Sequence, residues 1–242
     1  MVVKSRIAII LCLALTACGA PPPRPSGPAG GPAPSATPPA PAPAVVAPPA
    51  ATRYRIDAGT SELRVLVYRT GPMASLGHDH VISTHGLEGW ATFDGHAATA
   101  AFALTVPVTD FVVDDPKLRL EEGADFAEDV TDEARSGTAH NMLGPAVLNA
   151  AAFPAIAIRS VAVTELPGSF RARVALEVAG HASMLDVPFV LEVSRGRLVA
   201  HGELALRQSA IGLTPFSVFL GALKVQDELQ VKFRLTAVGD GA

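Results

Sequence analysis

The sequence predicts an all-β protein, an antiparallel eight-stranded barrel with one helical crossover. Three observations carry that expectation. From about residue 53 onward, apolar residues recur on every second position, a period that buries one face of a strand and leaves the other in water. The connections between these runs are short and contain Gly, Ser and Asp, which makes antiparallel neighbours the economical arrangement. Between 114 and 151 the alternation stops and Glu, Asp, Ala, Lys and Arg take over, the texture of a helix. A meander must stack on a second sheet or close on itself. Period two leaves a filled sandwich and a barrel both open. The helical excursion favours the barrel, because a helix can cover an open end.

The first fifty residues stand apart from the 242-residue whole. Lys4 and Arg6 precede an apolar run at 7–15, the charged and apolar regions of a signal peptide. The run is shorter than the ~20 apolar residues needed to span a bilayer. Leu15-Thr16-Ala17-Cys18 resembles the bacterial lipoprotein signal, in which the cysteine is acylated and becomes the mature N-terminus. Residues 1–17 are therefore expected to be a lipoprotein signal peptide. Two or three acyl chains on Cys18 would hold the protein on a membrane, where one chain binds only marginally. Gly19, in place of Asp, resembles the enterobacterial outer-membrane signal, so the expected location is the periplasmic face of the envelope. Residues 18–52 are almost wholly Pro, Ala, Gly and Ser after the cysteine. Such a segment cannot bury enough surface to fold, and as an extended tether at ~3 Å per residue it reaches up to roughly 90 Å.

Cys12 and Cys18 are the only cysteines, so the folded domain, 53–240, has no disulfide, cysteine ligand or cysteine nucleophile. Acids outnumber Lys and Arg by 23 to 19. No basic patch is evident, and nucleic acid is not an expected partner.

Within the domain, 61–69 alternates Leu63, Val65 and Val67 against Glu62, Arg64 and Leu66, a first long strand ended at Thr70-Gly71-Pro72. Residues 88–93 and 98–106 read as two strands joined at Asp94-Gly95, a hairpin signal. Thr131, followed by Asp132 and Glu133, is a helix start with an N-cap and acids in the first turn. Ala134, Ala139, Met142 and Leu143 supply its apolar positions, up to Gly144-Pro145. Strands resume at 156–164. The longest alternation follows: Phe170 to Val178, Leu185 to Val193 and Leu198 to Leu206, with a break at Gly180-His181-Ala182. Residues 208–226 mix Gly and Pro with Ile211, Phe216 and Phe219 and read as a partly buried loop. A last strand, 228–238, alternates strictly.

Five short motifs give the chain a family likeness. They are Tyr54-Arg55-Ile56-Asp57, the Phe93-Asp94-Gly95 hairpin, Val147-Leu148-Asn149 followed by Phe153-Pro154, the Gly180-His181 to Val187-Pro188 hairpin, and Asp227-Glu228-Leu229 with Val231. In this order they resemble the YceI-like family over 53–238. The fourth carries its His and Gly in swapped order, and the lipoprotein anchor and Gly77-His78-Asp79-His80 are departures from the family pattern. The resemblance implies a lipocalin-like antiparallel barrel in the periplasm that holds a long isoprenoid chain, either polyprenol or isoprenoid quinone. Burial of a CH₂ contributes ~0.8 kcal/mol, so each five-carbon unit offers about 3–4 kcal/mol gross. The expected lining is the inward set Val65, Val67, Phe102, Leu104, Ile156, Ile158, Val174, Leu176, Val187, Phe189, Leu204, Val231 and Phe233. Each of these also fits plain core packing.

His78 and His80 carry a sharper expectation. On one strand they would project to the same face with Cα atoms ~7 Å apart, Asp79 and His85 pointing away. Three roles fit: a polar rim at the ligand's head group, a structural turn, or a metal site. The metal role needs a third ligand, such as His140, His181 or His201. No Gly-x-Ser-x-Gly elbow, phosphate loop or dinucleotide fingerprint occurs. Asp114-Asp115 and Glu121-Glu122 read as solvated charge. Neither an enzyme nor a cofactor is expected.

Overall fold

The computed structural model describes residues 52–239. The signal segment, Cys18 and the tether up to residue 51 lie outside the described residues. In chain order the strands are β1 (Arg53–Ile56), β2 (Glu62–Val67), β3 (Arg69–Thr70), β4 (His80–Thr84), β5 (Glu88–Thr92), β6 (Ala101–Pro107) and β7 (Val112–Val113). Helices α1 (Pro116–Glu121) and α2 (Asp132–Leu143) follow. The chain then continues through β8 (Ala155–Leu166), β9 (Ser169–Val178), β10 (His181–Ser194), β11 (Arg197–Arg207), β12 (Ser217–Val218), β13 (Leu223–Val225) and β14 (Glu228–Gly239).

Eight strands close the barrel in the order β1-β5-β6-β8-β9-β10-β11-β14, all neighbours antiparallel, with β14 returning to β1. Strand β14 is the seam. One edge pairs with β11 from Arg207↔Glu228 to Arg197↔Val238. The other edge is divided, Gln230 to Arg234 meeting β2 and Ala237 to Gly239 meeting β1. From β2 the wall continues through β4 and β7. The alternation of β14 explains its place: Leu229, Val231, Phe233, Leu235 and Ala237 all face the interior, and the polar residues between them face outward.

The β9–β10 connection is a two-residue turn, since Val178 pairs with His181. Both central residues have positive φ, Ala179 at 47° and Gly180 at 80°, as the tightest hairpin turns require. Alanine disfavours that region. Ala179→Gly is expected to stabilise the protein by about 1 kcal/mol, measured as a higher urea midpoint at unchanged slope.

Helix α2 begins at the expected cap: the Thr131 hydroxyl accepts from the Ala134 N–H at 3.2 Å. Its Met142 and Leu143, with Val147 and Leu148, pack on Val108, Val178 and Ile211 and cover one end of the barrel. At the other end Tyr54, Phe93, Leu198 and Ala237 meet. There the Phe170 ring stacks on Phe189 at 5.5 Å and meets Phe93 edge-on at 6.4 Å.

Three expectations are corrected or extended. First, the expected helical crossover is present between β7 and β8 and, among the described residues, holds a second helix beside α2. Helix α1 is a six-residue element capped by Asp115, which accepts from the Lys117 and Leu118 N–H groups, with Pro116 in its first turn. It lies on the outer face of the wall, where Leu118 and Phe126 cover Leu66 and Val81. Arg64 and Lys232 are opposite one another across β2 and β14, a repulsive placement. Glu122, at the end of α1, bridges them at 2.7 Å and 2.5 Å. Burial opposes the Glu122 charge, but the Lys232 and Arg64 bonds outweigh it and hold the carboxyl below its ordinary range. Second, Asp94-Gly95 does not form a tight hairpin; 93–100 is a longer link with a 3₁₀ turn at Ala97–Thr99. Third, 208–226 is more than a loop. Its strands β12 and β13 join β3 in a three-stranded sheet beside the barrel, because Gly212 and Gly221 allow the chain to double back at positive φ.

Candidate functional site

The inward side chains do not meet in the middle. They enclose a cavity of about 480 Å³, within the range of roughly 300–1,000 Å³ typical of ligand sites. All thirteen residues of the expected inward set lie on its wall: Val65 and Val67 on β2, Phe102 and Leu104 on β6, and Ile156 and Ile158 on β8. Val174 and Leu176 follow on β9, Val187 and Phe189 on β10, Leu204 on β11, and Val231 and Phe233 on β14. The cavity is long. On β14 alone its wall runs from Leu229 to Ala237, roughly 27 Å at ~3.4 Å per residue. Many of these side chains, including Val187, Phe189, Leu204 and Phe233, are only half-buried although they point into the barrel. The empty lumen is the reason.

The wall is chemically lopsided. Its polar groups besides Thr92 and the Tyr68 hydroxyl are Arg69, His78, His80, Thr138, Asn141, Gln208 and Lys224. These gather at the end where α2 and the small sheet sit, while the Phe93–Phe170–Phe189 end is hydrocarbon. Lys224 is exposed, so the cavity reaches the surface at the polar end.

Both His78 and His80 line that end, with ring centroids 6.3 Å apart. Only His80 is on a strand; His78 precedes β4, because Asp79 is drawn back to accept from the Arg69 N–H at 2.6 Å. His85 points elsewhere, its Nδ1 at 2.6 Å from the Ser61 carbonyl. His140 is exposed and is not on the cavity wall. The structure does not bring the set His78, His80 and His140 together. Among the described residues no three His, Cys, Asp or Glu side chains are placed to share a metal ion.

Behind His80 stands a group the sequence reading missed. Asp114 is fully buried, not solvated as expected. One carboxylate oxygen accepts from His80 Nδ1 at 2.6 Å. The other accepts from the Val81 N–H at 2.8 Å and from Arg119 Nη1 at 2.6 Å. Burial alone would raise the Asp114 pKa. The bonds from His80, Val81 and Arg119 outweigh it, so the carboxyl stays below its ordinary range and remains ionised. Arg119 is itself buried and is fixed by the carbonyls of Asp79 and Glu128, at 2.7 Å and 2.9 Å. An Asp at φ 56° in a polar run gives little sequence signal. The one available hint was the N-cap spacing of Asp115 and Pro116, which starts α1 and turns Arg119 inward.

The consequence for His80 is chemical. A carboxylate accepts only, so Nδ1 carries the proton on that side. Among the described residues Nε2 has no hydrogen-bond partner. It is thereby left to hydrogen-bond whatever lies at the polar end of the cavity.

No family model and no curated protein matches the sequence. Solved structures do share its fold. BcnA from Burkholderia cenocepacia superposes with a TM-score of 0.57 at 17% identity, covering 76% of this chain and 99% of its own. A polyisoprenoid binding domain from Saccharophagus degradans, implicated in plant cell wall breakdown, gives 0.51 at 12% identity, covering 77% and 98%. A YceI protein from Campylobacter jejuni gives 0.46 at 8% identity, covering 64% and 82%. At such identities the likeness is one of fold: the Burkholderia and Saccharophagus structures share the antiparallel barrel described above.

Proposed function

We propose that the protein carries one long apolar chain of isoprenoid type, tail in the lumen and head at His80. The observation that carries the reading is the lopsided cavity, a deep hydrocarbon tunnel with its polar groups at one end. A solid structural core has no use for it. An unfilled apolar void forgoes ~24 cal/mol per Å³, on the order of 10 kcal/mol here, a large share of a typical domain's stability. A polyisoprenoid is what the Saccharophagus domain of the same fold is described as binding, and such a chain suits this tunnel. Acylation at Cys18 would place the carrier on the periplasmic face of the envelope.

The Asp114–His80 pair refines the head group. A ring fixed to Asp114 through Nδ1 presents Nε2 to the head group, which favours an oxygen-bearing head, a prenyl alcohol, quinol or quinone, over a bare hydrocarbon end. The expected result is that wild type binds a prenyl alcohol about 2- to 10-fold more tightly than the prenyl hydrocarbon of equal length, the worth of one net hydrogen bond. His80→Ala should bind the two equally while still taking up the tail. Equal binding of both by wild type would remove the head-group assignment. Failure of both to bind would remove the carrier reading itself.

A further inference from the structure

Two adjoining segments at the polar end display large apolar side chains to solvent. Leu76 is 65% exposed on the 3₁₀ turn Ala74–Leu76, and Phe219 and Leu220 are 65% and 108% exposed on the link between β12 and β13. The segments are fastened together: the Met73 N–H donates to the Ala222 carbonyl at 2.9 Å, and β13 pairs with β3. The link is also strained. Phe219 and Leu220 adopt φ of 51° and 55°, a left-handed region that bulky residues avoid. Backbone strain that holds two large apolar groups in water contributes nothing to folding, and strain of this kind gathers at working sites.

The patch is continuous with the cavity. Val218, Leu223 and Gly77, neighbours of the exposed residues, form part of its wall. We propose that Leu76, Phe219 and Leu220 form a lip that docks on a lipid bilayer, so that the cargo passes between membrane and lumen without crossing water. The identity of the cargo rests on the function proposed above; the lip does not. An isoprenoid chain that leaves a bilayer through water exposes all its methylenes at once, so a carrier for it needs a dry path. Three side chains on a protruding tip suit insertion at the acyl-chain boundary. They are too few for the roughly 1,000 Å² of a stable contact with a second copy.

The test uses the full chain with Cys18→Ser, which removes any acyl anchor, and Trp90→Phe, which removes the native tryptophan. Phe219→Trp in this background reports the lip, and Val161→Trp reports an exposed position on the outside of β8. With phosphatidylcholine vesicles brominated on their acyl chains, the indole fluorescence of the Phe219→Trp protein is expected to be quenched and blue-shifted, and that of Val161→Trp unchanged. Serine at Leu76, Phe219 and Leu220 together should slow uptake of a prenyl alcohol from vesicles about tenfold, as expected for lost apolar insertion, with unchanged equilibrium binding from detergent. Absence of quenching at the lip overturns the proposal whether or not any prenyl alcohol binds. So does a concentration-dependent dimer that the serine substitutions abolish, which would assign the lip to a second copy.

Discussion

Leu204→Trp is expected to weaken binding of a prenyl chain steeply and to leave the barrel folded. Leu204 lies on β11 opposite Val231, half-buried, with its side chain in the lumen. In a filled core an added indole would clash, and overpacking of that kind costs about 1–3 kcal/mol. Here the ring enters space that is otherwise vacant and makes apolar contacts there. The expected outcome is therefore an unchanged or raised Tm with affinity for the ligand reduced by about 100-fold or more, equivalent to about 3 kcal/mol of lost tail burial. A thermal melt and a titration with the same prenyl alcohol check both halves. A lowered Tm with binding intact would mean that the tunnel lies elsewhere.

The second large effect is on stability. Asp114→Asn keeps a residue that tolerates φ 56° but removes the charge, leaving Arg119 buried without a counterion. Breaking a buried pair in this way costs about 3–5 kcal/mol, a drop of about 10 °C in Tm for a domain of this size. Replacing both partners, as Asp114→Asn with Arg119→Met, should restore part of the loss, because no charge is then stranded. The pH dependence follows from the direction of the Asp114 shift. Its folded pKa is lowered, so its contribution is fully present above the unfolded carboxylate pKa of about 3.9 and is lost as pH falls through the folded value. Glu122 acts in the same sense. Wild type should lose stability on acidification below about pH 4, and Asp114→Asn should lose less over that interval.

The parts of the fold legible in the sequence were those where a strand has one wet and one dry face. Strand β14 alternates from Glu228 to Ala237, and the wall residues of β9, β10 and β11 follow from the same rule. Helix α2 was legible from Thr131, Asp132 and Glu133, because capping is a local interaction. What stayed hidden depends on contacts distant in the chain. Leu66 faces outward on β2 yet is buried, since α1 and Phe126 cover it. The six residues of α1 are too short for a helical period to emerge. Strand β13 is held by pairing with β3, some 150 residues earlier in the sequence, and β12 by pairing with β13. Asp114 read as solvated because nothing nearby announces that His80 and Arg119 converge on it from 34 residues before and five residues after. The period of two also could not tell a tunnel from a filled core. That distinction depends on how far apart opposite walls stand, which is a property of barrel closure.

A tunnel of this shape is expected to hold one apolar chain in the protein as the cell makes it. Native mass spectrometry of the whole chain, purified from the cells that make it, checks this before and after organic extraction. One extractable isoprenoid-type lipid per protein chain, absent from Leu204→Trp prepared in the same way, is the predicted result. Folded wild-type protein of unadorned mass, which also fails to gain mass when offered a prenyl alcohol, would contradict it.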